Sequence, residues 1–598
     1  MDVGFTDAIS GYKQISLLGL SGPNVAFTRE NIPDTRGLAN IIGLTFTPGP
    51  WVESIQLSKG TGSVVNGYEG VAGQINVELH KPKEKNGIKL LLNAYQSTQG
   101  RTEANMVYNQ ILNSKWNTTL LAHVKSNWMN VDQNNDSFLD QPLGSTYLLG
   151  NRWMYYNPQG WEIQLGLKGV YMDLWGGESS YNRDQEVSTS SPWGFYNNTQ
   201  RAEAWAKIGK IYTDKPYQSM GLQLNAFYHD QDARYGLNTY QGKQKSFYAN
   251  YIFQSIIHST EHTIKFGGSF QYDGFDEAFA GQNYARQEIV PGIFTEYAYH
   301  YLDKFSVVAG IRGDYNNIYG AFLTPRLHLR FAPEEKLVFR ASIGRAQRTV
   351  NVFAEHIGFM ASNRTFELPG NNHQLPFGLK PEVAWNMGVN MVKQFMLNYR
   401  DGSLSLDYYY THFDNMVITD IEQYRIIRFY NLDGKSYAHS FQAQLDYEVM
   451  RKWDWRVAYR WYDVKATYEG KGLLQKPLLA AHRFFVNTAY ETRNNWSFDL
   501  TANWTGAKRM PEHILNSGDP ARSSYATPSF WIWNGQVSKS WEDERWKIYA
   551  GVENILGTMQ HHLILGRQDP YAEGFDAGLV WGSAMGRNIY IGVNYQLK

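Results

Sequence analysis

The chain has 598 residues, 43% hydrophobic and 19% charged, with Lys+Arg and Asp+Glu both totalling 56. That balance leaves no net field to draw in nucleic acid or an anionic membrane surface, so no nucleic-acid partner is expected. A mean hydropathy of -0.47, with no apolar run near the ~20 residues of a membrane-crossing helix, excludes a helical membrane protein.

Residues 1–82 are short segments broken by Gly and Pro. They end in Pro50-Trp51-Val52-Glu53-Ser54-Ile55-Gln56-Leu57-Ser58-Lys59-Gly60-Thr61-Gly62-Ser63, followed by Gly67-Tyr68-Glu69-Gly70-Val71-Ala72-Gly73-Gln74-Ile75-Asn76-Val77. Glycines at this density allow tight turns and close backbone approach, as a compact globule needs. A phosphate loop would instead run Gly-Lys-Ser/Thr into a helix, whereas Ile75-Asn76-Val77-Glu78-Leu79 reads as strand.

From residue 83 the rhythm changes to period-two alternation, the mark of a strand with one apolar face. Trp161, Ile163, Leu165 and Leu167 alternate with Glu162, Gln164, Gly166 and Lys168; Trp455, Val457, Tyr459 and Trp461 alternate with Arg456, Ala458 and Arg460. The last segment alternates Ile589, Ile591, Val593, Tyr595 and Leu597 with Tyr590, Gly592, Asn594 and Gln596. Runs of about 9–11 residues are long enough to cross a bilayer when tilted. The 41 Tyr and 19 Trp suit membrane interfaces. Tight polar turns, such as Asn157-Pro158-Gln159-Gly160 and Pro333-Glu334-Glu335-Lys336, alternate with long links at 173–198, 348–379 and 507–527, as in outer-membrane barrels. Hairpins counted from near 88 to 597 give an all-β fold: an antiparallel transmembrane β-barrel of about 22 strands. Hydrocarbon leaves unpaired strand edges without partners, so the barrel must close. Its wide lumen must then be plugged, which the N-terminal globule would do.

These motifs carry a family resemblance. The two Gly-rich stretches resemble the end of the plug of TonB-dependent outer-membrane receptors, "x-E-x-I-x-[VL]-x-[RK]-G-x-G-S" followed by "G-x-x-x-x-x-G-x-I-N", on Lys59, Gly60, Gly62, Gly67, Gly73 and Asn76. Lys59 stands where the family often has Arg, and Glu69 where it often has a small residue. Arg340-Ala341-Ser342-Ile343-Gly344-Arg345-Ala346-Gln347-Arg348, Leu379-Lys380-Pro381-Glu382-Val383-Ala384-Trp385-Asn386 and Gly551-Val552-Glu553-Asn554-Ile555-Leu556 look like its recurrent barrel motifs. The pattern resembles receptors of Bacteroidota-type bacteria. The resemblance implies two domains, the C-terminal part of a plug at 1–82 and the barrel at 83–598. It also implies a Gram-negative outer membrane, lipid around the wall, a small nutrient or metal-complex ligand, and the TonB–ExbB–ExbD complex as partner of the full-length protein. The chain opens on Met1-Asp2-Val3-Gly4 with no secretory signal, so it reads as truncated within the plug, lacking the signal peptide, the TonB box and the first plug half.

Several loop residues are candidates for binding. Arg345 and Arg348, near the outer rim, suit an anionic ligand. His356, Met360, His373, Met510, His513, His561 and His562 offer imidazole and thioether for a metal or metal complex, against the ordinary polarity of long loops. Trp175, Tyr181, Trp193 and Phe195 can cover a ligand or pack loop on loop. Arg326, His328, Arg330 and Arg340 share the lumen face and can meet plug carboxylates or a ligand. In loop 128–143, Asp132, Asn134, Asp136, the Phe138 carbonyl and Asp140 copy the start of a calcium loop, although Ser137 replaces the usual Gly and Leu143 the closing Glu. That calcium would be structural, and no cofactor is otherwise required.

No catalytic constellation is visible: Cys is absent, there is no HExxH, and no Ser sits in a nucleophile elbow. The expected function is therefore uptake of a scarce nutrient, first a siderophore–iron or other metal complex, with cobalamin or a glycan as alternatives on the same fold. A passive porin lacks a reason for the plug motif. A soluble β-propeller enzyme would show shorter strands and repeats of about 40–50 residues.

Overall fold

A computed structural model describes residues 2–82, 87–370, 375–512, 526–541 and 544–598. Antiparallel strands from Leu90–Ser97 to Asn588–Leu597 each pair with the next, and the last returns to the first, with Ile591 opposite Gln96 and Val593 opposite Ala94. The wall is a closed barrel of 22 strands. Two short pieces, Gln282–Asn283 and Gly472–Gln475, only prolong hairpins whose flanking strands pair directly. Closure leaves every ladder amide in the hydrocarbon with a partner.

The alternation read from the sequence places the side chains. In Trp161–Gly177, Gln164, Lys168 and Val170 are buried toward the lumen, while Leu165 and Leu167 point outward. Leu167 is 54% exposed in the apolar band, where lipid covers it. Leu167→Arg should cost about 2–4 kcal/mol, the penalty for a cation on the lipid face near the bilayer midplane. Urea titration of the protein folded into phospholipid vesicles measures it; an unchanged midpoint would place this face away from lipid.

Strand length departs from expectation. Lys215–Tyr235 and Ser259–Phe279 each run 21 residues, about twice the bilayer-spanning length. Past the outward-facing Tyr228 the hairpin stays paired but turns Asp230, Asp232, Lys243 and Lys245 outward. Ladder hydrogen bonds persist in water, so the strands continue after the apolar alternation has stopped. The link expected at 173–198 is accordingly shorter, at 178–193. Long connections after Asn127, Arg348, Asn415, Thr505 and Glu553 leave the wall on the same side.

Residues 2–82 lie inside this wall. Their sheet runs Ile32–Pro33, Val25–Arg29, Gly73–Leu79, Val52–Lys59, with the middle two strands parallel. The glycine motifs act where backbones close up. At Gly73 (φ 155°) a Cβ would stand 2.3 Å from the Ser58 carbonyl oxygen, and at Gly60 (φ 74°) 2.7 Å from Asn386 of the wall. Gly67 ends the turn Val64–Asn66 at φ 109°. Buried Asn76 accepts from Thr28 Oγ1 at 2.9 Å and from the Asn31 amide at 2.8 Å, pinning the sheet to its neighbouring turn.

Contacts with the wall come from many strands. Leu38 N–H donates to Gln244 Oε1 at 3.0 Å, Trp51 Nε1 to the Ala122 carbonyl at 3.2 Å, and Lys59 Nζ to Asp407 Oδ2 at 2.9 Å. Arg326 Nη1 donates to the carbonyls of Gly62 and Ser63, and Nη2 to that of Glu69. This lumen-facing arginine therefore meets backbone carbonyls of residues 62–69, where the sequence suggests carboxylates. His328 sits 3.4 Å from the Gly62 carbonyl, whereas Arg330 and Arg340 bond within the wall, to the Asp303 carbonyl and to Asn390.

Candidate functional site: a chamber beneath the outer loops

The outer loops fold over the lumen as an apolar roof. Trp193, Phe138 and Phe575 interlock, with ring centroids 5.0 Å apart for Trp193–Phe575 and 6.1 Å for Phe138–Trp193. Phe353, Met360 and Phe377 join the same core, as do Ala8, Ile9 and Tyr12 of the N-terminal globule. A backbone hydrogen bond from Ala8 N to the Ala577 carbonyl, 2.9 Å, ties globule to roof. Below it lies a cavity of about 870 Å³, walled by residues 2–24, the outer ends of strands from Arg348 to Tyr590, and the loops between. That volume falls in the range of sites that enclose a whole small molecule.

Most of the chamber's charges are matched locally. Arg348 Nε donates to Glu382 Oε2 at 2.6 Å, and its Nη1 and Nη2 to the two Glu355 oxygens at 2.8 and 3.0 Å. Asp2 accepts from Arg460 at 2.7 Å, Arg483 at 3.2 Å and Tyr462 at 3.1 Å. Burial opposes its charge, but Arg483 and Arg460 prevail and hold the carboxyl below its usual range. Lys13, Lys476 and Lys508 also line the chamber. Burial pushes the Lys508 ammonium down to about 7, with Arg483 adding to the fall and Asp2 opposing it. Burial lowers Lys476 against the pull of Glu382, and Lys13 against that of Glu553.

The residues expected from the sequence divide. Arg348 and His356 reach the chamber; Arg345, Trp175 and Trp193 do not. Arg345 sits one residue out of phase with lumen-facing Gly344 and Ala346, and bonds the Leu323 carbonyl at 2.8 Å on the outer face. Trp175 likewise follows the outward parity of Leu165 and Leu167, and Trp193 is spent in the roof. His356 has both ring nitrogens engaged, Nδ1 with the Val352 carbonyl and Nε2 with Thr419 Oγ1, each at 2.8 Å. Burial pushes its imidazole below the ordinary value, so it is a neutral packing group. Met360 is buried in the roof, His561 and His562 are exposed, and His373 and His513 lie outside the described residues. Among the described residues, no three His, Cys, Asp or Glu side chains are grouped to hold a metal ion.

Loop 128–142 spends its oxygens on its own backbone. Asp132 accepts from the amides of Asp136 (3.1 Å) and Ser137 (2.9 Å), Asp136 from that of Phe138 (2.9 Å), and Asp140 from that of Gln133 (3.1 Å). Phe138 turns its ring into the roof. Burial, reinforced by Asp132 and Asp136, pushes the Asp140 carboxyl up to about 7 against its hydrogen bond from Gln133. A carboxyl raised in the folded state favours folding when protonated, so its contribution is complete below the ordinary aspartate range and lost as pH rises through about 7. Proteolysis of this loop should therefore be faster at pH 8 than at pH 5.5, and Asp140→Asn should flatten the difference. Equal rates for the wild-type protein would contradict it.

Known proteins share this architecture. A family described as TonB dependent receptor-like, beta-barrel matches residues 86–555, and no curated protein matches the chain. Among solved structures, a mutant of the ferric enterobactin receptor PfeA from Pseudomonas aeruginosa superposes with TM-score 0.73 at 13% identity, covering 100% of this chain and 94% of that one. The siderophore receptor PirA from Pseudomonas aeruginosa gives 0.69 at 10% identity, covering 99% and 95%. The ferric-catecholate import receptor Fiu from K12 E. coli in its closed form gives 0.72 at 12% identity, covering 99% and 91%. At these identities the likeness is one of fold. With a barrel that closes on itself and a match running through most of its wall, the chain belongs to the TonB-dependent receptor-like β-barrel family of the outer membrane.

Proposed function

We propose that the protein captures a compact nutrient in the chamber and releases it inward when the TonB–ExbB–ExbD system rearranges the N-terminal globule. The preferred cargo is a siderophore–iron or other metal complex. The observation that carries this reading is the shared lining: globule, wall and outer loops each contribute residues to one cavity of about 870 Å³, so moving the globule must change the ligand's surroundings. Such coupling requires the ligand to bind the two arrangements unequally. The ion pairs between globule and wall weigh against a passive porin, because they hold the lumen occupied. The siderophore receptors with the same fold support the choice of cargo.

Growth of a deletion strain under iron limitation tests it. The strain should lose growth on its native iron source and regain it with the intact gene only while TonB is functional. Unimpaired growth under iron limitation, with a defect on cobalamin or a glycan instead, would transfer the cargo to that class. Growth rescue without TonB would refute energised uptake.

A further inference from the structure

Three chamber lysines have no opposing carboxylate within ion-pair reach among the described residues, and each comes from a different element. Lys13 belongs to the globule strand Lys13–Ser16, Lys476 to loop 469–481, and Lys508 to loop 506–529. The chamber's acids are largely committed elsewhere. Asp2 is held by Arg460 and Arg483, and Glu355 and Glu382 share Arg348. Glu553 accepts from Asn588 at 3.0 Å. What two of them touch is neutral. Lys508 Nζ donates to the Trp581 carbonyl, and Lys13 Nζ stands over the Phe5 ring, 4.8 Å from its centroid. A cation left without an anion is costly where water is scarce, as at buried Lys508 and half-buried Lys476, while Lys13 is the most exposed of the three; all three open onto one cavity.

We propose, resting on the uptake reading above, that the chamber takes a polyanion whose clustered oxygens are gripped by Lys13, Lys476 and Lys508 together. Lysines suit this task because an ammonium is a compact point charge with three donors, adaptable to oxygens in several directions. The grip has a structural consequence. One ligand would join the globule, through Lys13, to two roof loops, through Lys476 and Lys508, so its binding energy spans the parts that must separate during release. Burial that lowers these ammonium groups favours the same outcome, since an entering anion restores their charge. Groups of opposite effect also face them: Arg483 and Asp2 around Lys508, Glu382 and Arg348 around Lys476, Glu553 and Arg101 around Lys13. Carboxylate, catecholate and phosphate ligands share the required chemistry.

Equilibrium binding to the purified full chain in detergent, read by tryptophan fluorescence, tests the grip apart from transport. The probes are a trianionic ferric tris-catecholate, an uncharged ferric tris-hydroxamate of similar size, citrate and inorganic tripolyphosphate. At least one polyanion should bind roughly tenfold or more tightly than the uncharged complex, a difference that K13Q, K476Q or K508Q each reduce several-fold and K508R retains. Which polyanion binds separates carboxylate, catecholate and phosphate sources. Thermal melting of each variant establishes that it is folded. Equal binding of the uncharged complex, no binding by any polyanion, or unchanged affinity in all three folded glutamine variants would overturn the proposal. Loss of TonB-dependent growth with intact polyanion binding would instead defeat the uptake reading and leave the grip standing.

Discussion

Glu203→Ala is expected to loosen the globule within the barrel by roughly 3–5 kcal/mol, the range for removing one member of a buried charge cluster. Glu203 is fully buried on the wall, bonded by Arg29 of the globule and by Asn225 Nδ2 at 3.0 Å. Lys168 and Arg201 stand 3.3 and 3.7 Å from its other oxygen. Asp34 is the remaining carboxylate, 3.4 Å from Lys168 and 3.8 Å from Arg29. Deleting Glu203 thus leaves three cations around one acid, in a place water reaches poorly. The wall's own ladder is untouched, so the loss falls on docking. Planar-bilayer recordings should show open-channel events for the variant and almost none for the wild-type protein, with Glu203→Gln intermediate because it keeps an acceptor for Arg29. A silent E203A channel and an unchanged melting curve would show that this cluster does not secure the globule.

Trp193→Ala should open the roof at comparable cost, roughly 3–5 kcal/mol for truncating a buried indole. Trp193 is 1% exposed and packs between Phe138 of one loop and Phe575 of another. The cavity left behind cannot be refilled by loops anchored at both ends to a rigid wall. Because loops open independently of the strands beneath them, the barrel's melting transition should stay in place. Limited proteolysis within 128–142 and 554–587 should accelerate on the order of a hundredfold or more, in keeping with that loss if nicking follows the opened population. Cleavage at the wild-type rate would mean the roof is held by something other than this aromatic contact.

Much of the wall was legible because lipid and lumen impose opposite chemistry on adjacent residues. Trp161 to Lys168 declares its pleat without reference to any partner. The signal fails beyond Tyr228, where both faces are polar: His229 and Gln231 point inward and Asp230 and Asp232 outward. Arg345 was misplaced although the means to place it was present, since lumen-facing Arg326, His328 and Arg330 set a parity that crosses the hairpin to Arg340 and excludes an odd-numbered neighbour. The roof was not legible. His356 is neutral packing because Thr419 and Phe429 happen to meet it from a loop some sixty residues on, and nothing local says so. The lysines of the chamber were missed for the same reason: each is a single cation in an unremarkable segment, and only folding makes them neighbours of one cavity.

A single engineered bridge tests the enclosure of residues 2–82 most directly. Val64 is fully buried in the globule, and a Cβ built on Gly310 of the wall strand Phe305–Asn316 lies 3.3 Å from Val64 Cβ. That is about 0.2 Å short of the usual Cβ separation of a disulfide, about 3.5–4.5 Å, a gap that a small backbone shift closes, and with no native Cys no competing bridge can form. The V64C/G310C protein, extracted from outer membranes, should be nearly all cross-linked, migrating as a shifted band on non-reducing gels that thiol reductant returns to the wild-type position. If the two sulfurs stay unbridged under oxidant and the substituted position 64 reacts freely with a bulky water-soluble maleimide in folded protein, residues 2–82 do not sit in this lumen.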